Sequence, residues 1–257
     1  MSTGRTVSRW GRIYVAGRDL SGDTRSIGPL GMMQETEDME GLDWAVKAGL
    51  PGQSIITIGA LNSMLNSDGA AQMHDLFNTP GSNYAVMIPI GIRAAPAQGD
   101  PVFCAQVNEL GYTGEVGLNS LAMNLNFGGK PASLALNHKK PWGTLLRPKL
   151  ATAGPNSSAG GVDNGAASAF GGFFMYQVFA GDGTAILSVD DSANGSDYAA
   201  LSGATSGSID CSTPKAGIIQ LATNAAVRQH LRWQLELETA TTVTAAWAFV
   251  RSSSHNV

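Results

Sequence analysis

Hydrophobic and polar residues alternate along much of this chain with the period of two that a half-buried β-strand requires. The clearest stretch is Val227–Glu238. Val227, Leu231, Trp233, Leu235 and Leu237 fall on one side and Arg228, His230, Arg232, Gln234, Glu236 and Glu238 on the other, with Gln229 out of step. Val243, Ala245, Trp247 and Phe249 continue the pattern after a four-residue turn region, which predicts that the last two strands pair antiparallel. Upstream, Gly172–Ala180, the turn Gly181-Asp182-Gly183 and Thr184–Asp190 read as a hairpin.

The first half carries shorter strand signals. Trp10–Leu20 reads as a strand running into the turn residues Ser21-Gly22-Asp23, and Ser54–Leu61 is a β-branched run of strand length. Tyr84–Ile92 and Val102–Asn108 follow, split by the loop from Ala94 to Asp100. Pro89 inside the former marks an edge or a bulge. Asn119–Phe127 alternates Leu121, Met123, Leu125 and Phe127 with Ala122, Asn124 and Asn126, giving one apolar face and one polar, uncharged face. Two helices are expected. Thr36–Leu50 has Glu37, Asp38 and Glu40 at its start, Met39, Leu42 and Val46 on one face, and Gly49 with Pro51 as its stop. Asp68 caps a shorter one with Met73, Leu76 and Phe77 as its stripe.

The expected fold class is therefore mainly β, with two β-sandwich-type domains and one or two short helices flanking the first. Gly128–Lys149, with Lys130, His138, Lys139, Lys140, Arg147 and Lys149, reads as a connecting arm, and Ala151–Ala169, nearly all small residues, as a linker or mobile loop. These place the boundary near residue 150, with domains 1–150 and 151–257.

Composition agrees with a β fold rich in turns. The 257 residues include 32 glycines, 43% are hydrophobic, and only 14% are charged, against about a quarter in an ordinary domain. Net charge is −4. Residues 1–150 carry 12 basic and 12 acidic residues, the remainder 4 and 8, and no basic run appears. A surface that grips nucleic-acid phosphates is thus not expected. Cys104 and Cys211 sit in apolar company and read as buried free thiols. No stretch approaches the ~20 apolar residues of a membrane span, and the N-terminal MSTGRTVSRW lacks a secretion core, so a soluble, cytoplasmically made protein is expected.

Candidate chemistry is sparse. His74, His138, His230 and His255 stand at no metal-ligand spacing. The nearest approach to a nucleophile turn, Gly203–Ser208, lies in Gly/Ser-rich sequence, and Gly28-Pro29-Leu30-Gly31 lacks the lysine of a phosphate loop. Asp190-Asp191-Ser192-Ala193-Asn194-Gly195-Ser196-Asp197 offers oxygen ligands but no late bidentate glutamate, and Asn194-Gly195 is a hairpin turn in its own right. Glu35, Glu37, Asp38 and Glu40 are explained by the expected helix start. No catalytic, cofactor-binding or metal residues are expected, no cofactor, and no enzyme.

The segments Arg12-Ile13-Tyr14-Val15, Gly17-Arg18-Asp19-Leu20-Ser21-Gly22, Arg25-Ser26-Ile27-Gly28-Pro29-Leu30-Gly31, Ala45-Val46-Lys47, Leu50-Pro51-Gly52, Ile58-Gly59-Ala60-Leu61-Asn62 and Arg93-Ala94-Ala95-Pro96 resemble structural tail proteins of long-tailed bacteriophages. The resemblance spans about residues 10–127. Val189–Asn194, Asp197–Leu201, Arg232 and Ala248–Arg251 are similar to β-domains of phage virion proteins. The best-fitting role is the major tail tube protein. That resemblance implies trimeric or hexameric rings of the chain, stacked into a hollow tube in the virion tail. Other tail proteins are partners, double-stranded DNA passes through the lumen without tight binding, and no membrane is involved. Thr36–Leu50 would be a flanking helix, Gly128–Lys149 an arm, and the Asn face of Leu118–Phe127 a lumen lining. The second domain is then either a tube repeat or an outer decoration. A capsid decoration protein and a host-surface or carbohydrate-binding tail module are the alternatives, the latter weakened by the 7% aromatic content.

Overall fold

The computed structural model describes residues 10–22, 24, 27, 30–33, 36–41, 44–49, 53–62, 77, 81–92, 94–117, 120–128, 141–154, 156–157 and 160–252. Its strands are β1 (Tyr14–Val15), β2 (Arg18–Asp19), β3 (Leu30–Met33), β4 (Thr36–Gly41), β5 (Trp44–Gly49), β6 (Gln53–Asn62), β7 (Asn83–Pro89), β8 (Pro101–Gly117) and β9 (Ser120–Gly128). They continue as β10 (Trp142–Ala153), β11 (Asn156–Ser157), β12 (Val162–Asp163), β13 (Gly172–Gly181), β14 (Thr184–Ser192), β15 (Ala199–Asp210), β16 (Lys215–Gln220), β17 (His230–Leu237) and β18 (Thr242–Arg251). The fold is mainly β, and no α-helix occurs among the described residues.

Two compact units form. One gathers Met1–Gly22, Ala85–Ala105 and Leu136–Val257, the other Asp23–Tyr84 and Gln106–Ala135. Residue 150 lies inside β10, and Arg147 and Lys149 with it, so the second half of the expected arm is a sheet strand. Residues 129–140 lie outside the described residues. The expected linker also contributes structure: β11 and β12 both pair with β17.

The larger unit is a sandwich. Its first sheet runs β16-β13-β18-β10-β8-β7-β1-β2 and its second β11-β17-β14-β15, with β12 also on β17. Between them lie Phe174, Leu187, Val189, Leu231, Leu235, Val243 and Phe249, with Trp233 and Trp247 in ring contact at 5.5 Å. Each large apolar side chain withdrawn from water here contributes roughly 1.5–3 kcal/mol. The opposite face of the first sheet is also buried, over Tyr14, Met87, Val102, Cys104, Leu145, Phe173, Met175 and Val250. The sheet curls until its ends approach. The buried Gln177 side chain on β13 accepts from the Gly17 N–H at 2.7 Å and donates to the Ala85 carbonyl at 2.9 Å.

Several local expectations change here. Trp10–Leu20 is a tight hairpin, with Val15 opposite Arg18 and positive φ at both Ala16 (50°) and Gly17 (79°). Gly17 is required twice, because a Cβ there would lie 2.3 Å from the Lys215 nitrogen. Pro89 ends β7, which is an interior strand between β1 and β8. Its missing N–H costs the ladder nothing there, while its carbonyl still accepts from the Arg12 N–H. The expected β13–β14 hairpin and β17–β18 pair do not form: β13 and β18 pair with each other in the first sheet, β14 and β17 in the second. The turns carry the chain across the sandwich, and strands adjacent in sequence face each other through their apolar sides.

In the smaller unit, β6 pairs with β3 and β9, and β9 with the later part of β8. Within Thr36–Leu50, expected as a helix, the described residues 36–41 and 44–49 are the paired strands β4 and β5, with Asp38 opposite Lys47, Met39 opposite Val46 and Gly41 opposite Trp44. Glycines at both ends, the β-formers Trp44 and Val46, and an opposite-charge cross-strand pair favour strands over the helix dipole. Of the second expected helix only Phe77 is described; it is fully buried in a turn, with its ring against Tyr84 and Phe127.

Candidate assembly site

The loop between β7 and β8 is held rigid. Asp100 donates its N–H to the Ala97 carbonyl and accepts the Ala97 N–H on Oδ2 at 2.8 Å. Gly99 and Asp100 bracket Leu145 of β10 by two backbone hydrogen bonds of 2.8 and 2.9 Å. At Gly91 a Cβ would sit 1.9 Å from the Ala94 carbonyl oxygen, so only glycine allows the chain to fold back there. The result is an open pocket of about 400 Å³ lined by Ile92, Ala94, Ala95, Ala97 and Asp100, with Ile92 46% exposed. Among the described residues, small apolar walls with one carboxylate make a receptacle for an aliphatic side chain rather than a catalytic cleft.

Five residues further along the same strand from Leu145, Leu150 stands 57% exposed. The β10–β18 register slips between Arg147 and Leu150, which inserts an extra residue and turns Lys149, Leu150 and Ala151 all outward. Beside it, the Lys149 ammonium is 2.9 Å from Asp19 Oδ2 and lies over the Phe179 ring. A second bulge, between Glu109 and Gly111, turns Leu110 out to 63% exposure.

In the smaller unit the β6–β9–β8 ladder divides by register. Phe127 stands opposite Glu109 and Ile56, Leu125 opposite Tyr112 and Ile58, and Met123 opposite Gly114 and Leu61. These positions share one face, on which Leu125 and Phe127 are fully buried. The other face takes Asn126 with Thr57 and Gly111, Asn124 with Thr113, and Ala122 with Asn62 and Glu115. The Asn positions expected on a polar face thus fall on one, where Glu115 is the sole ionisable residue among the paired positions.

Glu109 belongs to the apolar face, 1% exposed, and among the described residues neither carboxylate oxygen finds a hydrogen-bond partner of good geometry. Burial raises its pKa, and the nearby Tyr84 hydroxyl offsets part of that shift. A raised acid pKa stabilises the fold below the unfolded-state value; that contribution is lost as pH rises through the folded one. Glu109→Gln is therefore expected to raise the melting temperature at pH 7 and to flatten its pH dependence above pH 4.5, the ordinary value. Thermal melts across that range check it; a variant less stable at pH 7 would mean that the carboxylate is needed.

The residues singled out in the sequence are mostly accounted for by structure. Asp190 accepts Arg232 Nε and an Arg232 terminal nitrogen at 3.1 and 2.9 Å, and Asp191 accepts the Arg228 N–H at 2.8 Å. Asn194 Oδ1 accepts the N–H groups of Ser196 and Asp197, and Gly195 takes φ 76°, so the acidic segment is a side-chain-braced turn. Gly203–Ser208 lies within β15, and Glu37, Asp38 and Glu40 lie on β4, not at a helix start. His230 is half-buried on β17; His74, His138, His255 and Glu35 lie outside the described residues. Both cysteines are free and buried, with burial pushing the thiol pKa up in each.

Sequence reasoning missed Glu109, Leu150 and the surroundings of Arg147. Arg147, placed in a solvated arm, is 1% exposed, its guanidinium 4.6 Å from the Trp233 ring centre and 4.8 Å from that of Trp247. It donates to the Ala245 carbonyl at 3.0 Å and to Thr152 Oγ1, and burial lowers its pKa to about 10.

A scan against protein-family models finds no match, and a search of curated proteins finds none. Among solved structures, the chain is similar to the Dit protein of phage SPP1, described as a paradigm of the hub adsorption apparatus in phages infecting Gram-positive bacteria. Identity is 10%, coverage 93% of this chain and 98% of that one, and the TM-score 0.29. It is also similar to a chain in the baseplate of phage p2 in its activated, strontium-bound conformation, at 10% identity, 95% and 98% coverage and a TM-score of 0.32. Likeness at this level carries no functional argument.

Proposed function

We propose that this chain is a structural subunit of a bacteriophage tail, a ring-forming tube protein whose rings stack around a channel that passes double-stranded DNA. The observation that carries the reading is the two-faced β6–β9–β8 ladder, apolar on one face and polar with a single ionisable position on the other. A channel lining of that kind hydrates DNA without neutralising its phosphates, so the duplex slides rather than sticks. The resemblance of residues 10–127 to tail structural proteins supports the same reading.

Negative-stain electron microscopy over a concentration series tests it. Hollow rings or tubes are expected, with their symmetry separating trimers from hexamers. Assemblies carrying Asn124→Lys and Asn126→Lys should retain duplex DNA in a salt-dependent way that the wild type does not. Discrete particles at every concentration would overturn the ring reading. Normal assemblies in which the lysines change nothing would remove this ladder from the channel wall.

A further inference from the structure

We infer that successive copies dock head to tail through the pocket of one copy and Leu150 of the next, an inference that rests on the ring-and-stack reading above. The two features lie on one strand of one compact unit. The pocket loop is fastened to β10 at Leu145, and Leu150 projects from the same strand five residues on, about 16 Å at ~3.3 Å per residue. Receptacle and projection therefore sit at different places on the same rigid element. They satisfy each other only between copies, in the heterologous manner that builds rings or open stacks.

Lining and charge agree. The walls Ile92, Ala94, Ala95 and Ala97 fit a branched aliphatic side chain, and Leu150 is 57% exposed. The pocket carries the Asp100 carboxylate, and the projection carries the Lys149 ammonium. Lysine has three donors, and Asp19 takes one of them at 2.9 Å. The remaining donors can meet Asp100 of the neighbour as Leu150 seats. Both sides are preorganised: the loop by the Asp100–Ala97 bonds and Gly91, the projection by the bulge. One seated leucine is a small contact, and a ring of copies engages many at once, which raises the effective concentration of each.

Cysteine cross-linking of the full chain tests this. Cys104 and Cys211 are at most 1% exposed, so the engineered thiols are the reactive ones. The double variant Ala95→Cys with Leu150→Cys, oxidised after assembly, should give a ladder of covalent multimers on a non-reducing gel, while each single variant stays monomeric. Leu150→Ala should raise the concentration needed for assembly about tenfold while the monomer's circular dichroism is unchanged. Asp100→Asn, which keeps the acceptor for Ala97, should weaken assembly most at low salt. If wild-type tubes form and the double variant gives no ladder, the docking is wrong and the ring reading stands. Dimers from Leu150→Cys alone would mean a self-paired contact and would overturn it. A wild type that does not assemble overturns both.

Discussion

Trp247→Ala is expected to lower the unfolding free energy by about 4 kcal/mol, the range for truncating a buried tryptophan. At roughly 2–4 °C per kcal/mol for a domain of this size, calorimetry should show the melting temperature falling by about 8–16 °C. The residue is fully buried at the centre of the sandwich, touches Trp233, and forms one of the two aromatic faces against the Arg147 guanidinium. Its loss opens a cavity and also strips a buried cation of half its π surroundings, and the second effect puts it at the upper end for core truncations. The companion experiment separates the two. Arg147→Met keeps the volume and removes the charge; because no carboxylate is described within ion-pair distance of Arg147, stability should hold within about 1 kcal/mol or rise. Arg147→Ala should lose stability by cavity formation. A Met variant as damaged as the Ala variant would show that the cation itself stabilises the core, and a Trp247→Ala loss under 1 kcal/mol would refute the packing account.

Gln177→Met is expected to cost about 1–3 kcal/mol, since it orphans the buried Gly17 N–H, while the Ala85 carbonyl keeps the Ala16 N–H as a donor. The Gly17 N–H and the Ala85 carbonyl meet the Gln177 amide at 2.7 and 2.9 Å, and Met can serve neither. Urea unfolding gives the magnitude. Hydrogen exchange gives the location: the Gly17 amide should lose protection before the β13–β18 ladder does. Gln177→Glu should be worse at neutral pH than in acid, because the carboxylate still accepts from Gly17 but faces the Ala85 carbonyl with no donor until it is protonated. Unchanged urea stability in the Met variant would mean that the sheet ends do not depend on this residue.

How much of this was legible in the sequence depends on the range of the interaction concerned. The β17 alternation was readable because each residue reports its own face: Leu231, Trp233 and Leu235 are buried and Glu236 is exposed, as the period of two requires. Which strand β17 would pair with was not readable. A hairpin signal is local, and the same turn residues serve a chain that crosses from one sheet to the other. The Thr36–Leu50 segment failed for a related reason, since acidic residues ahead of an apolar stripe read as a helix start until a cross-strand partner offers Asp38 a lysine. Arg147 was invisible because its company, Trp233 and Trp247, lies 86 and 100 residues away. The candidate assembly site was half legible. The loop around Ala94 was marked by its composition, whereas the exposure of Leu150 arises from a bulge that no spacing in the sequence announces.

The placement of β18 bears on how the protein is made. It lies between β10 and β13, paired to both, although it is the last described strand to be synthesised. The larger unit therefore cannot close its first sheet until residues 242–251 have been translated, so β10 and β13 wait with open edges. The ladders of the smaller unit all fall within residues 23–135 and can form while translation continues. Pairings across about a hundred residues close slowly. Nascent chains are thus exposed to edge-to-edge association from the completion of β10 at residue 153 until β18 is made. A shortage of chaperone should therefore reduce the yield of soluble subunit more sharply than a modest loss of final stability would.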